Sequence, residues 1–217
     1  MKDIKAIKGK FYIQRLIEEG EHEHQDFKFS ISDARKIARS ISAFANNDGG
    51  RLLVGVKDNG NIAGVRNEED IYVIEQAAQM YCRPSQKVEF TAFKTEGGAV
   101  VIRADISRSQ TRPVQAQEHD GTWRAYYRVK DENIVAPNLM VRAWQNKDSQ
   151  NGALLTFTDI EYNLINYLSE NTSISVESFM KIAHISRHLA EDIILKLYAM
   201  DVIEFIYSES RFKISRK

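Results

Sequence analysis

The sequence predicts a mixed α+β domain followed by a small winged-helix domain. Residues 1–144 alternate between helical and strand periodicity, and one strand, residues 52–56, is apolar on both faces, as in the centre of a sheet. The polar residues 145–152 that follow are typical of a linker. Residues 153–217 then change to three helices and a hairpin, which predicts a second, separate domain.

Capping and turn residues mark the ends of the elements in the first domain. A helix over residues 3–19 ends at Gly20, and a second helix, which Ser32 caps, ends at Asn46 and Asn47, which we interpret as C-cap residues. The same kinds of pattern predict one more helix and four more strands. The helix covers residues 68–81, and the strands cover residues 62–65, 87–95, 99–106 and 122–129.

The second domain has three N-cap signals in a row. Thr158 or Asp159 can begin its first helix, Ser175 the second and Ser186 the third. Two short strands, residues 202–207 and 211–214, then form a hairpin. Three helices followed by a β-ribbon predict a winged helix.

Composition limits the classes of function. The chain has 30 basic and 30 acidic residues, and residues 151–217 hold seven basic against nine acidic ones, so any nucleic-acid site must be local. A single cysteine, Cys82, excludes an internal disulfide and fits a reducing compartment. We see neither an apolar run of spanning length nor a signal peptide, and we expect a cytoplasmic protein without a membrane partner.

Four segments, taken together, resemble one known family. They are Gln25-Asp26-Phe27-Lys28, Ile41-Ser42-Ala43-Phe44-Ala45-Asn46-Asn47-Asp48-Gly49-Gly50, Leu53-Val54-Gly55-Val56-Lys57-Asp58-Asn59-Gly60, and Arg112-Pro113 with Ala125-Tyr126-Tyr127-Arg128-Val129. In this order they resemble the Schlafen-type AlbA domain over residues 15–137, and the second and third segments are the specific part. The resemblance implies a mixed α+β fold, and because many stand-alone bacterial members carry the label of transcriptional regulators, it also implies that function.

The resemblance also implies an enzyme alternative. In Schlafen ribonucleases three carboxylates form the site, and the matching positions here are Glu21, Asp26 and Asp58. Such a site would bind Mg²⁺ or Mn²⁺, which prefer oxygen ligands and can activate water. Residues five apart in the chain converge only across a bend or bulge, and a regular strand would instead align His22, His24 and Asp26. The sequence leaves both arrangements open.

Basic residues near these acids predict a phosphate-binding groove. They could alternate with Phe27, Phe29, Tyr126 and Tyr127 as stacking surfaces, or lie as solvated charges over core aromatics. On the third helix of the second domain, the cation Arg187 lies near Glu191 and Asp192, which would oppose phosphate. The candidate nucleic-acid contacts are Lys28, Arg35, Arg39, Arg51, Arg128, Lys130 and Arg187.

Two functions follow from these patterns. The first is a nucleic-acid-binding transcriptional regulator that needs no cofactor, with DNA or RNA left open. The second is a metal-dependent endoribonuclease. We also expect a homodimer, because eukaryotic Schlafen proteins resemble two such lobes in one chain and symmetric dimers are the commonest oligomers.

Overall fold

A computed structural model describes residues 6–65, 68–147 and 157–217. The chain divides into two compact units, Met1–Ala136 and Pro137–Lys217. The predicted domain boundary at Trp144 falls inside the helix Asn138–Lys147. This helix belongs to the second unit, where it packs on another helix. Most of the predicted linker lies outside the described residues, so the linker stays a prediction.

The first unit has the predicted mixed α+β architecture. Its described residues form three helices and nine strands, and the last six strands follow α3 without another helix between them. In chain order they are β1 (Ile7–Lys8), α1 (Lys10–Glu19), β2 (Gln25–Lys28), α2 (Ala34–Asn46), β3 (Gly50–Val54), α3 (Glu69–Met80), β4 (Cys82–Arg83), β5 (Val88–Lys94), β6 (Val100–Ile106), β7 (Gln115–Gln117), β8 (Trp123–Val129) and β9 (Glu132–Val135).

The strands form two sheets. One has the order β1-β5-β6-β3-β2, and the other has the order β4-β7-β8-β9. Strand β2 lies at an edge of the first sheet, where it pairs in parallel with β3, with Gln25 opposite Arg51 and Lys28 opposite Val54. The remaining pairs are antiparallel except that β1 runs parallel to β5. One edge of β2 therefore has no partner strand, and side chains must bind its backbone N–H and carbonyl groups.

Helix α2 forms the centre of the unit and contacts α3, β7 and β8. Its apolar residues recur at helical spacing, and Ile41, Phe44 and their neighbours are completely buried in the main core. Burying each such large side chain contributes about 1.5–3 kcal/mol to folding. The side chain that caps α2 belongs to Asp33, which accepts the backbone N–H groups of Arg35 and Lys36, and not to Ser32 as predicted.

Two adjacent amides at the end of α2 join the helix to the second sheet. Asn46 is fully buried; its Nδ2 donates to the carbonyls of Val114 and Tyr126 at 2.8 Å each, and its Oδ1 accepts the N–H of Val114 at 2.8 Å. Asn47 donates to the carbonyl of Arg128 and accepts its N–H. Asn47 is the C-cap residue, as predicted, but both side chains act as substitutes for a neighbouring strand.

The second unit contains helices in its first part and a hairpin at its end. Its elements are α4 (Asn138–Lys147), α5 (Asp159–Glu170), α6 (Val176–Ala183), α7 (Arg187–Ala199), β10 (Ile203–Ser208) and β11 (Arg211–Arg216). Thr158, Ser175 and Ser186 cap α5, α6 and α7, as predicted, and Thr158 forms a capping box with Glu161. Ile174 and Ile214 exchange backbone hydrogen bonds of 2.9 Å. These bonds join the hairpin to the chain before α6, and both side chains belong to the core that α5–α7 share.

The start of the chain differs from the prediction. The predicted helix over residues 3–19 begins outside the described residues, and its described part splits into strand β1, Gly9 and helix α1. A side chain at Gly9 would lie 2.3 Å from the Phe93 ring, and β1 pairs with β5 on the same side, so tertiary packing decides where the helix begins. Within the described part of the chain, no helix has the length and apolarity needed to cross a membrane.

Candidate nucleic-acid interface

The free edge of β2 is closed by charged side chains. The outward N–H of Phe27 donates to Glu21 Oε1 at 2.8 Å, and the carbonyl of Phe27 accepts from Lys28 Nζ at 2.8 Å. The backbone of His22 pairs with that of Gln25. Glu21 thus satisfies an edge N–H that would otherwise invite another strand.

Asp26 faces away from Phe27 into a pocket of opposite charge. Its Oδ2 lies 2.7 Å from Lys28 Nζ and 3.4 Å from Ser40 Oγ, and its Oδ1 lies 3.3 Å from Arg128 Nη2. Glu21 is close enough to form a hydrogen bond with Asp26 when one carboxyl carries a proton. Two carboxyls and two cations therefore form one compact cluster, the β2 edge cluster: Glu21, Asp26, Lys28 and Arg128.

Arg128, predicted to bind nucleic acid, is a core residue. Only 1% of its surface is exposed. Besides Asp26, its guanidinium donates to the carbonyls of Gln25 and His22 and to Asn133 Oδ1, and it lies 5.2 Å from the ring centroid of Phe44. A phosphate cannot reach a group that is covered on all sides. The prediction of a phosphate contact at Arg128 is wrong because β8 turns this side chain onto α2 and β2.

A divalent metal ion does not fit the predicted three-carboxylate site. Each carboxylate oxygen of Asp26 already has a cation beside it, the Lys28 ammonium or the Arg128 guanidinium, and these charges would repel a metal ion. Asp58 is exposed in the turn after β3. Across residues 6–65, 68–147 and 157–217, no three His, Cys, Asp or Glu side chains are arranged to hold a metal ion, and this includes the alternative face of His22, His24 and Asp26.

Substitution of Glu21 tests whether this carboxyl serves the edge of β2. Burial, first, and the neighbouring Asp26 carboxyl raise the pKa of Glu21 above its usual value, so its ionised form costs stability in the folded state. Glu21→Gln keeps an oxygen for the Phe27 N–H and removes the charge. We expect Glu21→Gln to be at least as stable as the wild type at pH 7 in urea denaturation, and Glu21→Ala to lose about 1 kcal/mol because that N–H loses its acceptor.

The pH dependence of stability, compared between the wild type and Glu21→Gln, is a second test. A carboxyl whose folded pKa is raised gains stability as the pH falls from above that pKa towards the ordinary value. The wild type should therefore approach Glu21→Gln in stability between pH 7 and about pH 5. A Glu21→Gln chain that is clearly less stable than the wild type at both pH values would contradict this role.

Three more of the predicted cations are neutralised by acids. Arg39 forms a bidentate pair with Glu118, whose other donor is the hydroxyl of Tyr126. Burial would raise the pKa of Glu118, but the hydrogen bonds from Tyr126 and Arg39 outweigh it and hold that pKa below its usual value. Burial and the hydrogen bond to Glu118 raise the pKa of Tyr126 to about 12. The other two pairs join Arg51 Nη2 to Glu19 at 3.0 Å and Arg187 Nη2 to Glu177 at 2.7 Å.

Arg35 and Lys130 are the predicted contacts without an acidic partner among the described residues. The Arg35 guanidinium lies 4.5 Å from the ring centroid of Tyr81, and its Nε is buried without a hydrogen-bond acceptor. Lys130 is exposed at a turn position of positive φ. Tyr81 is a residue that the sequence did not single out, since it reads only as the end of α3.

Arg35 lies in a wider basic surface. Arg39 is one helical turn further along α2, and Arg124 on β8 lies close enough to Glu118 to lower its pKa. One buried acid, Glu118, thus serves two arginines. We call Arg35, Tyr81, Arg39, Glu118 and Arg124 the α2 basic surface. Glu118 was not predicted, because its partner Arg39 is 79 positions away and no local pattern marks it.

The second unit offers no comparable surface on α7. Besides its pair with Glu177, Arg187 lies 3.5 Å from Glu191, and His188 lies 2.8 Å from Asp192. Lys196 lies 2.9 Å from Glu161. At the hairpin tip, Lys213 and Arg211 both approach Glu209. The cations of α7 and of the hairpin tip are therefore largely compensated within the unit.

Comparisons with known proteins point to one family. A family model described as Schlafen, AlbA_2 matches residues 21–137, which is more than half of the chain. No curated protein gives a significant match. Among solved structures, the DIP2311 protein from Corynebacterium diphtheriae is similar at 19% sequence identity and a TM-score of 0.44. The similarity covers 68% of this chain and 34% of that protein, so this chain spans about a third of its length.

Proposed function

Because the chain belongs to the Schlafen AlbA_2 family, which is associated with nucleic-acid binding, we propose that it is a nucleic-acid-binding transcriptional regulator whose first unit holds the nucleic acid. The observation that carries this proposal is the geometry of Arg35. Its guanidinium lies 4.5 Å from the ring centroid of Tyr81 and has no carboxylate partner among the described residues, so its donors can meet a phosphate without first breaking an ion pair.

Charge compensation favours the first unit over the second. A cation that already pairs with an acid gains less from a phosphate, because the acid must be released or repels the phosphate. On α7, Arg187 pairs with two glutamates, whereas on the α2 basic surface Glu118 serves Arg39 and Arg124 and leaves Arg35 without an acidic partner among the described residues. The α2 basic surface is therefore the better phosphate-binding candidate.

The second unit has the order of elements expected for a winged helix, and we propose that fold for it. We propose that it docks a partner or reads a specific duplex. We also propose self-association as a homodimer, because symmetric dimers are the commonest oligomers. We propose a cytoplasmic location because the single cysteine, which is buried, fits a reducing compartment. Whether the nucleic acid is DNA or RNA is left to experiment.

Substitution of Arg35 tests which unit binds. We expect Arg35→Ala to weaken binding of labelled RNA or DNA about fivefold or more at physiological salt and to reduce the salt slope by about one, with little dependence on sequence. Fluorescence anisotropy across a salt series measures both quantities. Arg35→Lys separates charge from geometry, since it keeps the positive charge but loses the planar guanidinium with its paired donors.

The control is Arg187→Ala on α7. It should leave the affinity and the slope unchanged, because Arg187 is already engaged by Glu177 and Glu191. Weaker binding by Arg187→Ala together with unchanged binding by Arg35→Ala would place the nucleic acid on the second unit and overturn the proposal.

A further inference from the structure

Phe29, directly after β2, is an exposed aromatic residue with a cation beside its ring. Two positions earlier, Phe27 is 2% exposed in the core under α1, whereas Phe29 is 45% exposed. The ring has a cation beside it: Lys57 Nζ lies 5.5 Å from the ring centroid. Lys57 is itself exposed, and this ring is its charged group's only partner among the described residues.

The backbone holds both residues in fixed positions. Phe29 follows β2 directly, and the last bond of the β2–β3 pairing, from Gly55 N–H to the Lys28 carbonyl, is 2.8 Å long. Lys57 begins a tight turn in which its N–H donates to the Asn61 carbonyl and its carbonyl accepts from Gly60. The main chain that carries the aromatic ring and the ammonium group is thus ordered before binding, so little further backbone entropy is lost there.

A ring and a cation in this arrangement match the chemistry of a single nucleotide. An exposed ring offers a face on which a base can stack, and a nearby ammonium group can contact the adjoining phosphate. In a duplex, each base is already stacked and paired, so a surface side chain cannot reach its face. An unpaired strand presents its bases freely.

We propose that Phe29 and Lys57 form a base-stacking platform and that this protein prefers single-stranded nucleic acid. This inference rests on the proposed function and names the form of nucleic acid that the first unit takes. Phe29 supplies stacking, Lys57 supplies a phosphate contact, and the exposed carboxylate of Asp58 beside Lys57 limits the local positive charge.

Binding of a single strand and of a matched duplex tests the inference. The probes are fluorescein-labelled oligonucleotides of about 15 residues, DNA and RNA, single-stranded and annealed to a complement. We expect the wild type to prefer the single strands, and Phe29→Ala and Phe29→Leu to weaken single-strand binding about fivefold or more. Phe29→Tyr should bind like the wild type, because it keeps the ring. A 2-aminopurine base in the strand should lose fluorescence on binding to the wild type and not to Phe29→Leu.

Control variants separate this site from other effects. Tyr72→Ala removes an aromatic residue of similar exposure, 52%, on α3 and should leave binding unchanged. Lys57→Ala should weaken binding and lower the salt slope by about one, and Asp58→Asn should strengthen it slightly. Circular dichroism of each variant shows that it is folded, as expected for changes at exposed positions.

The outcomes distinguish this inference from the proposed function. If Phe29→Leu binds single strands like the wild type while Arg35→Ala binds more weakly, the platform does not exist and the α2 basic surface alone holds the nucleic acid. Equal affinity of the wild type for single strands and duplexes would also overturn the inference. If the wild type binds none of the probes, the proposed function itself fails. If Phe29→Leu instead loses self-association without losing nucleic acid, the ring belongs to a protein interface.

Discussion

Arg128→Ala is expected to lower the free energy of unfolding by about 3–5 kcal/mol. The guanidinium is completely enclosed and binds four oxygens, from β2, from β9 and from His22 before β2: Asp26 Oδ1, the carbonyls of Gln25 and His22, and Asn133 Oδ1. Without it, Asp26 keeps one cation, Lys28, and the carbonyls of Gln25 and His22 each lose a donor. Urea denaturation followed by circular dichroism measures the loss.

Two further variants show whether the loss comes from the ion cluster. Lys36→Ala, an exposed cation on α2, should change stability by no more than about 0.5 kcal/mol. The double variant Asp26→Asn with Arg128→Met should lose less stability than the single variants Asp26→Asn and Arg128→Met lose when added together, because each removes the charge that the other leaves unpaired. If Arg128→Ala is as stable as the wild type but binds nucleic acid weakly, Arg128 is a surface contact after all.

The sequence predicts those features that depend on neighbours along the chain. The caps at Thr158, Ser175 and Ser186 are three residues or fewer from the groups that they bind, so their chemistry is visible in the sequence. Strand and helix periodicity likewise depends on local spacing. The beginning of α1 was missed, since it depends on contact with Phe93, more than eighty residues away.

The candidate site depends on contacts between distant residues, and there the sequence was a weaker guide. Arg128 and Asp26 are 102 positions apart, so nothing local distinguishes this buried arginine from an exposed one. One signal was available: β8 alternates, and Arg128 shares a face with the core residue Tyr126. The acids at family positions were found, but not the cations that occupy the space between them.

The asparagine pair at the end of α2 explains a motif that the sequence showed only as a helix end. The two amides bind the backbone of residues that lie 68 and 81 positions later, at Val114 and Arg128. An amide can donate and accept at once, so it completes a strand edge as another backbone would. No carboxylate or apolar side chain of the same size can do both.

Asn46→Asp therefore has a large expected effect, a loss of about 3 kcal/mol or more at pH 7. The change places an oxygen where the Nδ2 group of Asn46 donates to the carbonyls of Val114 and Tyr126, so three oxygens meet in a fully buried space. Burial should raise the pKa of the new carboxyl, and the deficit should shrink as the pH falls towards that pKa, because the protonated acid regains one donor. Asn59→Asp is the matched control: this exposed turn residue only accepts, from the N–H of Asn61, and a carboxylate accepts equally well, so urea denaturation should find it unchanged. An Asn46→Asp chain as stable as the wild type at pH 7 would show that the amide does not hold the helix to the second sheet.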